Sequence, residues 1–218
     1  MARTFKTLQG CVPVRGIVLG PIDNNTYLIS DEKGALLVDP SSDALAIMRF
    51  LDGMKIDAIV LTHRHHDHVD AAAAVREATG ATVISSEADA SRIESPLPSD
   101  GGFAPCPVDR RVKDGDVVAV GNMSWKVITT PGHTPGSMCL LLDPESTDHP
   151  EKAPVLIAGD TLFFGSIGRT DFEGGDINAM RRSLRRLQAL PDETVVLPGH
   201  GNMTTIGAEQ RRVFAFYL

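Results

Sequence analysis

The segment Thr62-His63-Arg64-His65-His66-Asp67-His68 decides the fold. It sets four of the chain's seven histidines and an aspartate behind the apolar run Asp57 to Leu61 (DAIVL) and ahead of the alanine-rich run Ala71 to Gly80. The apolar run reads as a buried strand and the alanine-rich run as a helix closed by Gly80, so the polar segment sits at a strand end. In extended backbone His63 and His65 lie two residues apart and project to the same side, within reach of one metal ion. Where the chain turns into the helix, Asp67 and His68 point towards a second ion. His66 alternates away from His65 and is expected to face out or bond locally.

Outward from this segment, three more polar breaks follow predicted strands: Thr130-Pro131-Gly132-His133-Thr134, Gly159-Asp160-Thr161 and Pro198-Gly199-His200-Gly201. Strand ends on one edge of a sheet are where side chains from distant parts of a chain converge. Adding His133, Asp160 and His200 gives five imidazoles and two carboxylates, enough for two ions with Asp160 bridging them. The set holds no thiolate, which suits zinc and also iron or manganese. Alone, His133 or His200 would more often be a surface or hydrogen-bonded histidine, and Asp160 a turn cap. So many imidazoles packed between a strand and a helix without a metal would instead gather potential like charges. Thr134 and Thr161, beside ligands, are candidates to support them. His149 sits in the polar run Asp148 to Glu151 and is expected in solvent.

Short β-type runs over Val12 to Leu19, Thr26 to Ser30 and Ala35 to Asp39 predict a meander, followed by a helix from about Asp43 to Gly53. Thr82 to Ser86 predicts a further strand, and the proline-rich Ser95 to Pro107 a surface loop. Val117 to Val120, Trp125 to Thr130, Met138 to Leu142 and Val155 to Ala158 predict a second meander. A helix from Ile177 to Leu190 and a strand Thr194 to Leu197 follow. The repeated order of elements suggests two sheets packed face to face with helices outside.

Lys and Arg number 21 against 28 Asp and Glu, a formal charge of −7, and aromatics make up 5% of the 218 residues. Nucleic-acid binding, which needs clustered cations and stacking rings, is therefore not expected. Arg181, Arg182, Arg185 and Arg186 form a local basic stripe that reads as a solvated helix face. Three dispersed cysteines give neither a disulfide framework nor a zinc knuckle. With no signal-peptide core and no apolar stretch near the ~20 residues that span a bilayer, a cytoplasmic location without membrane contact is the expectation.

These motifs resemble the metallo-β-lactamase superfamily. Thr62 to His68 matches its T-H-x-H-x-D-H signature, and TPGHTPGS (Thr130 to Ser137), AGDTLF (Ala158 to Phe163) and PGHG (Pro198 to Gly201) follow in the family's order. The resemblance runs from Val14 to about Arg212 and is nearest to the glyoxalase II (hydroxyacylglutathione hydrolase) group, in its short single-domain bacterial form. It implies an α/β (α+β) fold, a four-layer αβ/βα sandwich of two mixed sheets with helices outside, as one domain over residues 1–218. It also implies His63, His65 and His133 on one metal, Asp67, His68 and His200 on the other, and Asp160 between them. No C-terminal helical glutathione-binding domain is expected. Asp160 stands where the cysteine-ligand β-lactamases have their thiolate.

The resemblance implies a hydrolase that uses two divalent cations, zinc first with iron or manganese as alternatives. Two such cations acidify a water and polarise a carbonyl, and a thiolate leaves without a dedicated general acid. The expected substrate is a small thioester such as S-lactoylglutathione, with Asp67 both binding metal and orienting the nucleophile. Tyr27, Phe163 and Phe164 are expected to wall the substrate, and an Arg169–Asp171 pair to hold the glycine-rich Gly165 to Gly175 loop near the metals. The alternatives are a mononuclear Fe(II) persulfide dioxygenase on His63, His133 and Asp160, and a lactonase. The expected assembly is a monomer or homodimer, and the apolar Phe214 to Leu218 (FAFYL) is expected to dock on the chain's own core or on a partner chain.

Overall fold

Leu36, Val38 and Val60 sit in one apolar cluster while Leu37, Ile59 and Leu61 sit in another. This period-2 split makes the layers of the protein, described by a computed structural model over residues 2–218. The first sheet holds seven strands in chain order: β1 (Arg3–Thr7), β2 (Val14–Leu19), β3 (Asn24–Ser30), β4 (Ala35–Val38), β5 (Ala58–Leu61), β6 (Thr82–Ser86) and β7 (Arg110–Val112). Pairing is antiparallel through β4 and parallel from β4 to β7.

The second sheet is built from β8 (Val117–Val120), β9 (Met123–Thr129), β10 (Met138–Leu142) and β11 (Val155–Gly159). After a two-stranded ribbon of β12 (Leu162–Phe163) and β13 (Ser166–Ile167), it is completed by β14 (Val195–Pro198) and β15 (Thr204–Thr205). It too begins as an antiparallel meander and gains a parallel pair, β11 with β14.

Between the sheets lie Leu36, Val38, Val60, Trp125, Leu140 and Ile157, all buried. The outer face of the first sheet is covered by α1 (Ala44–Leu51), the single-turn α2 (His66–Val69), α3 (Ala72–Thr79) and α4 (Glu87–Glu94). The outer face of the second is covered by α5 (Ile177–Gln188), α6 (Ile206–Glu209) and the turns that follow, with Met180, Leu184 and Phe214 buried on it. The architecture is the four-layer αβ/βα sandwich of two mixed sheets. Cys11, Cys106 and Cys139 are buried and free, and burial pushes each thiol up to about 11. Among the described residues no helix is long and apolar enough to cross a membrane.

Besides the short pieces β12, β13, β15, α2 and α6, three further elements lie outside the sequence expectations, and each is polar. β1 (RTFKT) is an edge strand whose charges blunt further pairing. β7 has only three residues. α4 (EADASRIE) carries little apolar pattern and is fixed by its N-cap, Ser86, whose hydroxyl accepts from the Asp89 N–H. At the C-terminus Phe214 is buried in the outer layer whereas Phe216 is exposed.

Candidate metal centre

The polar breaks leave the C-terminal ends of β5, β9, β11 and β14 and meet at one edge of the sandwich. Their convergence is held by bonds between the layers. Met138 N–H donates to Thr62 O at 3.0 Å and Asn25 N–H to Gly199 O at 2.8 Å. The Asn25 amide donates to Pro198 O and Gly201 O.

Two groups of ligand-type atoms result. His63, His65 and His133 form one and Asp67, His68 and His200 the other, and a third grouping of Asp39 with His63 and His68 overlaps both. Asp160 reaches both, with Oδ2 3.4 Å from His133 Nε2 and 3.4 Å from His200 Nε2, and Oδ1 3.4 Å from His68 Nε2. The seven side chains singled out from the sequence therefore share one cluster. His66 and His149 stay outside it, exposed, as their positions in the sequence predict.

Each outer ring nitrogen is pinned by the protein. His63 Nδ1 donates to Thr62 Oγ1 at 3.1 Å, His68 Nδ1 to Asp39 Oδ2 at 2.9 Å, His133 Nδ1 to Arg169 O at 2.6 Å and His200 Nδ1 to Ile22 O at 3.0 Å. Each of these four bonds fixes a tautomer that turns Nε2 inward, where His133 Nε2 lies 2.8 Å from His65 Nδ1 and His68 Nε2 3.1 Å from His200 Nε2, an approach of imidazole nitrogens that suits a shared cation. Inside the cluster His63 Nε2 and Asp160 Oδ1 are buried without a hydrogen-bond partner. Orphaned polar atoms are costly in an interior, and a cation would satisfy both. The donor set thus fits divalent metal.

The electrostatics divide the cluster in the same way. Burial and the neighbouring imidazoles hold His63 well below the usual imidazole value, and burial with His133 brings His65 down to about 4, so these rings stay neutral. Asp67 is held low by His200 and His68 despite burial, and Asp160 by His68 and His200. In return Asp160 and Asp39 push His68 up to about 9 against burial, and Asp160 with Asp67 pushes His200 up to about 10. The carboxylates in this half demand positive charge. Gly199 is required by the same crowding, since a Cβ there would overlap Asp160 Oδ1 and His68 Cε1.

Four supporting residues escaped the sequence reading. Asp39 follows β4 with a left-handed φ of 48°. Its Oδ1 accepts the Thr62 N–H, and its Oδ2 accepts the Thr62 hydroxyl and His68 Nδ1. The rule that found the other breaks, a polar residue directly after an apolar strand, applies to it equally. Asn24 donates to both the Asp67 carbonyl and its Oδ2. Asp89 is fully buried and accepts from the Arg64 N–H, the Thr134 hydroxyl and the Gly136 N–H, so it ties the first histidine loop to the second. Arg64, 3.7 Å from Asp89, also donates to Glu173 O and anchors the glycine-rich loop. Thr134 acts through Asp89, whereas Thr161 bonds Thr130 and touches no ligand. Replacing Asp39 with Asn keeps the volume but loses the ionic acceptor for His68. Metal affinity should drop by about 10- to 100-fold, read by competition with a chromophoric chelator.

Two substrate-wall expectations need correction. Tyr27 is 1% exposed and donates to Pro198 O at 2.7 Å, so it joins the two sheets instead of facing ligand. Phe164 sits in the turn between β12 and β13, beneath the Arg212 guanidinium at 4.5 Å and away from the cleft lining. Phe163 does line the cleft above the cluster, which holds about 700 Å³. Phe172 and Ile22 line it as well, and Arg169 and Asp171 pair at 2.7 Å.

Residues 19–200 match the model of the metallo-beta-lactamase superfamily. Hydroxyacylglutathione hydrolase GloC of Haemophilus influenzae is 33% identical over 201 residues, covering 86% of this chain and 90% of GloC. Among solved structures, BLEG-1 B3 metallo-beta-lactamase superposes with a TM-score of 0.82 at 35% identity, covering 92% of this chain and 98% of its own. A di-iron-bound form of TTHA1623 gives 0.76 at 35% identity over 90% and 97%. ETHE1 from Myxococcus xanthus gives 0.68 at 32% identity over 97% and 82%.

Proposed function

The chain belongs to the metallo-beta-lactamase superfamily, and from that membership and the cluster geometry we propose that it is a two-metal hydrolase cleaving a small hydroxyacyl thioester such as S-lactoylglutathione. The observation that carries this reading is the pair of three-residue sets joined through Asp160. His63, His65 and His133 would hold one ion and Asp67, His68 and His200 the other. Zinc suits this set, and the di-iron-bound neighbour keeps iron as the alternative.

Bound there, the cations supply Lewis acidity and a water acidic enough to attack near neutral pH. The chain's own residues supply orientation. Asp67, with Oδ2 held by the Asn24 amide at 2.9 Å and 3.3 Å from His200 Nε2, would orient the attacking water by accepting a hydrogen bond from it. The pinned imidazoles keep their geometry through the reaction, so little reorganisation is needed as charge develops on the carbonyl oxygen. The nearby acids Asp100 and Glu173 are engaged by Arg92 and do not offer a proton. A thiolate leaves without one, because a thiol is a far stronger acid than an alcohol or an amine. A cleft of this volume accommodates a small ligand.

A persulfide dioxygenase would use His63, His133 and Asp160 and leave the set of Asp67, His68 and His200 without a task, and a lactonase would attack a ring ester with the same machinery. Hydrolysis of S-lactoylglutathione and oxygen uptake with glutathione persulfide, measured on one preparation, separate the readings. Thioester cleavage that a chelator abolishes and added metal restores is expected. Persulfide-dependent oxygen uptake without cleavage, from a protein holding about one iron per chain, would overturn the proposal.

A further inference from the structure

The walls of the cleft carry information about the substrate that the metal cluster does not. Phe172 leans edge-on towards His65 and His133, with ring centroids 5.6 and 6.4 Å away, at one end of the cluster. Phe163 meets His200 edge-on at 5.8 Å at the other. Ile22, whose carbonyl pins His200, is 57% exposed, and Phe172 is 45% exposed, both facing the cleft. A carbonyl placed over the cluster therefore meets an aromatic ring on either side.

The charges of the mouth are already matched. Arg64 and Arg169 are the cations lining the cleft among the described residues. Arg169 forks onto Asp171 at 2.9 and 2.7 Å while its guanidinium lies over the Phe172 ring at 4.1 Å. Arg64 is buried against Asp89 and the Glu173 carbonyl. The acids Asp100 and Glu173 are both engaged by Arg92. A substrate carboxylate meets Arg169 already forked onto Asp171 and Arg64 buried with only its Nε unpartnered, so it gains little from ion pairing, whereas an apolar group gains contact area with Phe172, Phe163 and Ile22.

We propose that the site favours thioesters whose arms are uncharged and apolar over those of charged thiols, with Phe172 and Phe163 as the specificity-determining side chains. This selectivity rests on the thioester-hydrolase reading and narrows it: S-lactoylglutathione is cleaved, but as a poorer substrate than a thioester with an uncharged, apolar thiol arm. Apolar pockets discriminate by about 10- to 200-fold for a small group, so the preference should be at least about tenfold.

The experiment compares two thioesters of lactate that share the acyl group, one with benzyl mercaptan and one with glutathione. The expected ratio of kcat/KM is about ten or more in favour of the benzyl thioester. Phe172→Ala and Phe163→Ala should each reduce it, mainly through KM for the benzyl thioester. Both rings are partly exposed, so these variants keep the fold. A ratio at or below one, or a ratio that neither variant moves, overturns the selectivity while the hydrolase reading stands. Cleavage of neither substrate overturns both.

Discussion

Asp160→Ala is expected to lower kcat/KM for thioester hydrolysis by on the order of a thousandfold, because losing a shared ligand removes several kcal/mol of transition-state stabilisation. Asp160 reaches His133 in one half of the cluster and His68 and His200 in the other. Asp39 also groups with His63 and His68, but its carboxylate is taken up by Thr62 and by the outer nitrogen of His68. Asp160 Oδ1 has no hydrogen-bond partner in the protein, and removal of the Asp160 carboxylate also takes the counter-charge from His68 and His200. Metal content and activity should fall together, which elemental analysis and kinetics on one sample would read. Retention of both at parental levels would refute the bridging role.

Asp89→Ala is expected to cause the largest loss of stability. The carboxylate is fully buried, and its removal strands the Arg64 guanidinium in the interior along with the Thr134 hydroxyl and two backbone N–H groups. Breaking a buried pair on one side costs about 3–5 kcal/mol. At about 2–4 °C per kcal/mol for a domain of this size, the melting temperature should fall by roughly 6–20 °C. Asp89→Asn, which retains an acceptor for Thr134, should lose less. Calorimetry checks both variants, and a shift of under about 2 °C for the alanine variant would contradict the role given to the pair. Because Asp89 joins the loops of His65 and His133, the alanine variant should also bind its first metal equivalent more weakly.

The sandwich was legible wherever apolar runs set the period. β5, β9, β11 and β14 read directly as strands, and the polar segment behind each marked the edge where the site forms. All seven candidate ligands lie in that one cluster because chemistry and position coincide there. Asp39 was hidden as a plain strand terminus, and nothing in its neighbours signals that it accepts from His68 across 29 positions. Asp89 lies on a polar helix without amphipathic signal, so its burial depends on loops distant in sequence. The substrate wall was the least legible part. An aromatic beside a strand looks alike in sequence whether it seals the interior, as Tyr27 does, or faces a cleft, as Phe163 does. Phe172 carries no periodic signal at all in its glycine-rich loop.

The central claim is that two ions, joined through Asp160, act on a thioester. Titrating the metal-free protein with zinc while recording hydrolysis tests it most directly. Activity is expected to reach its plateau only at about two equivalents per chain, in step with occupancy of both sets. Full activity at a single equivalent, with the second ion binding without effect, would contradict it.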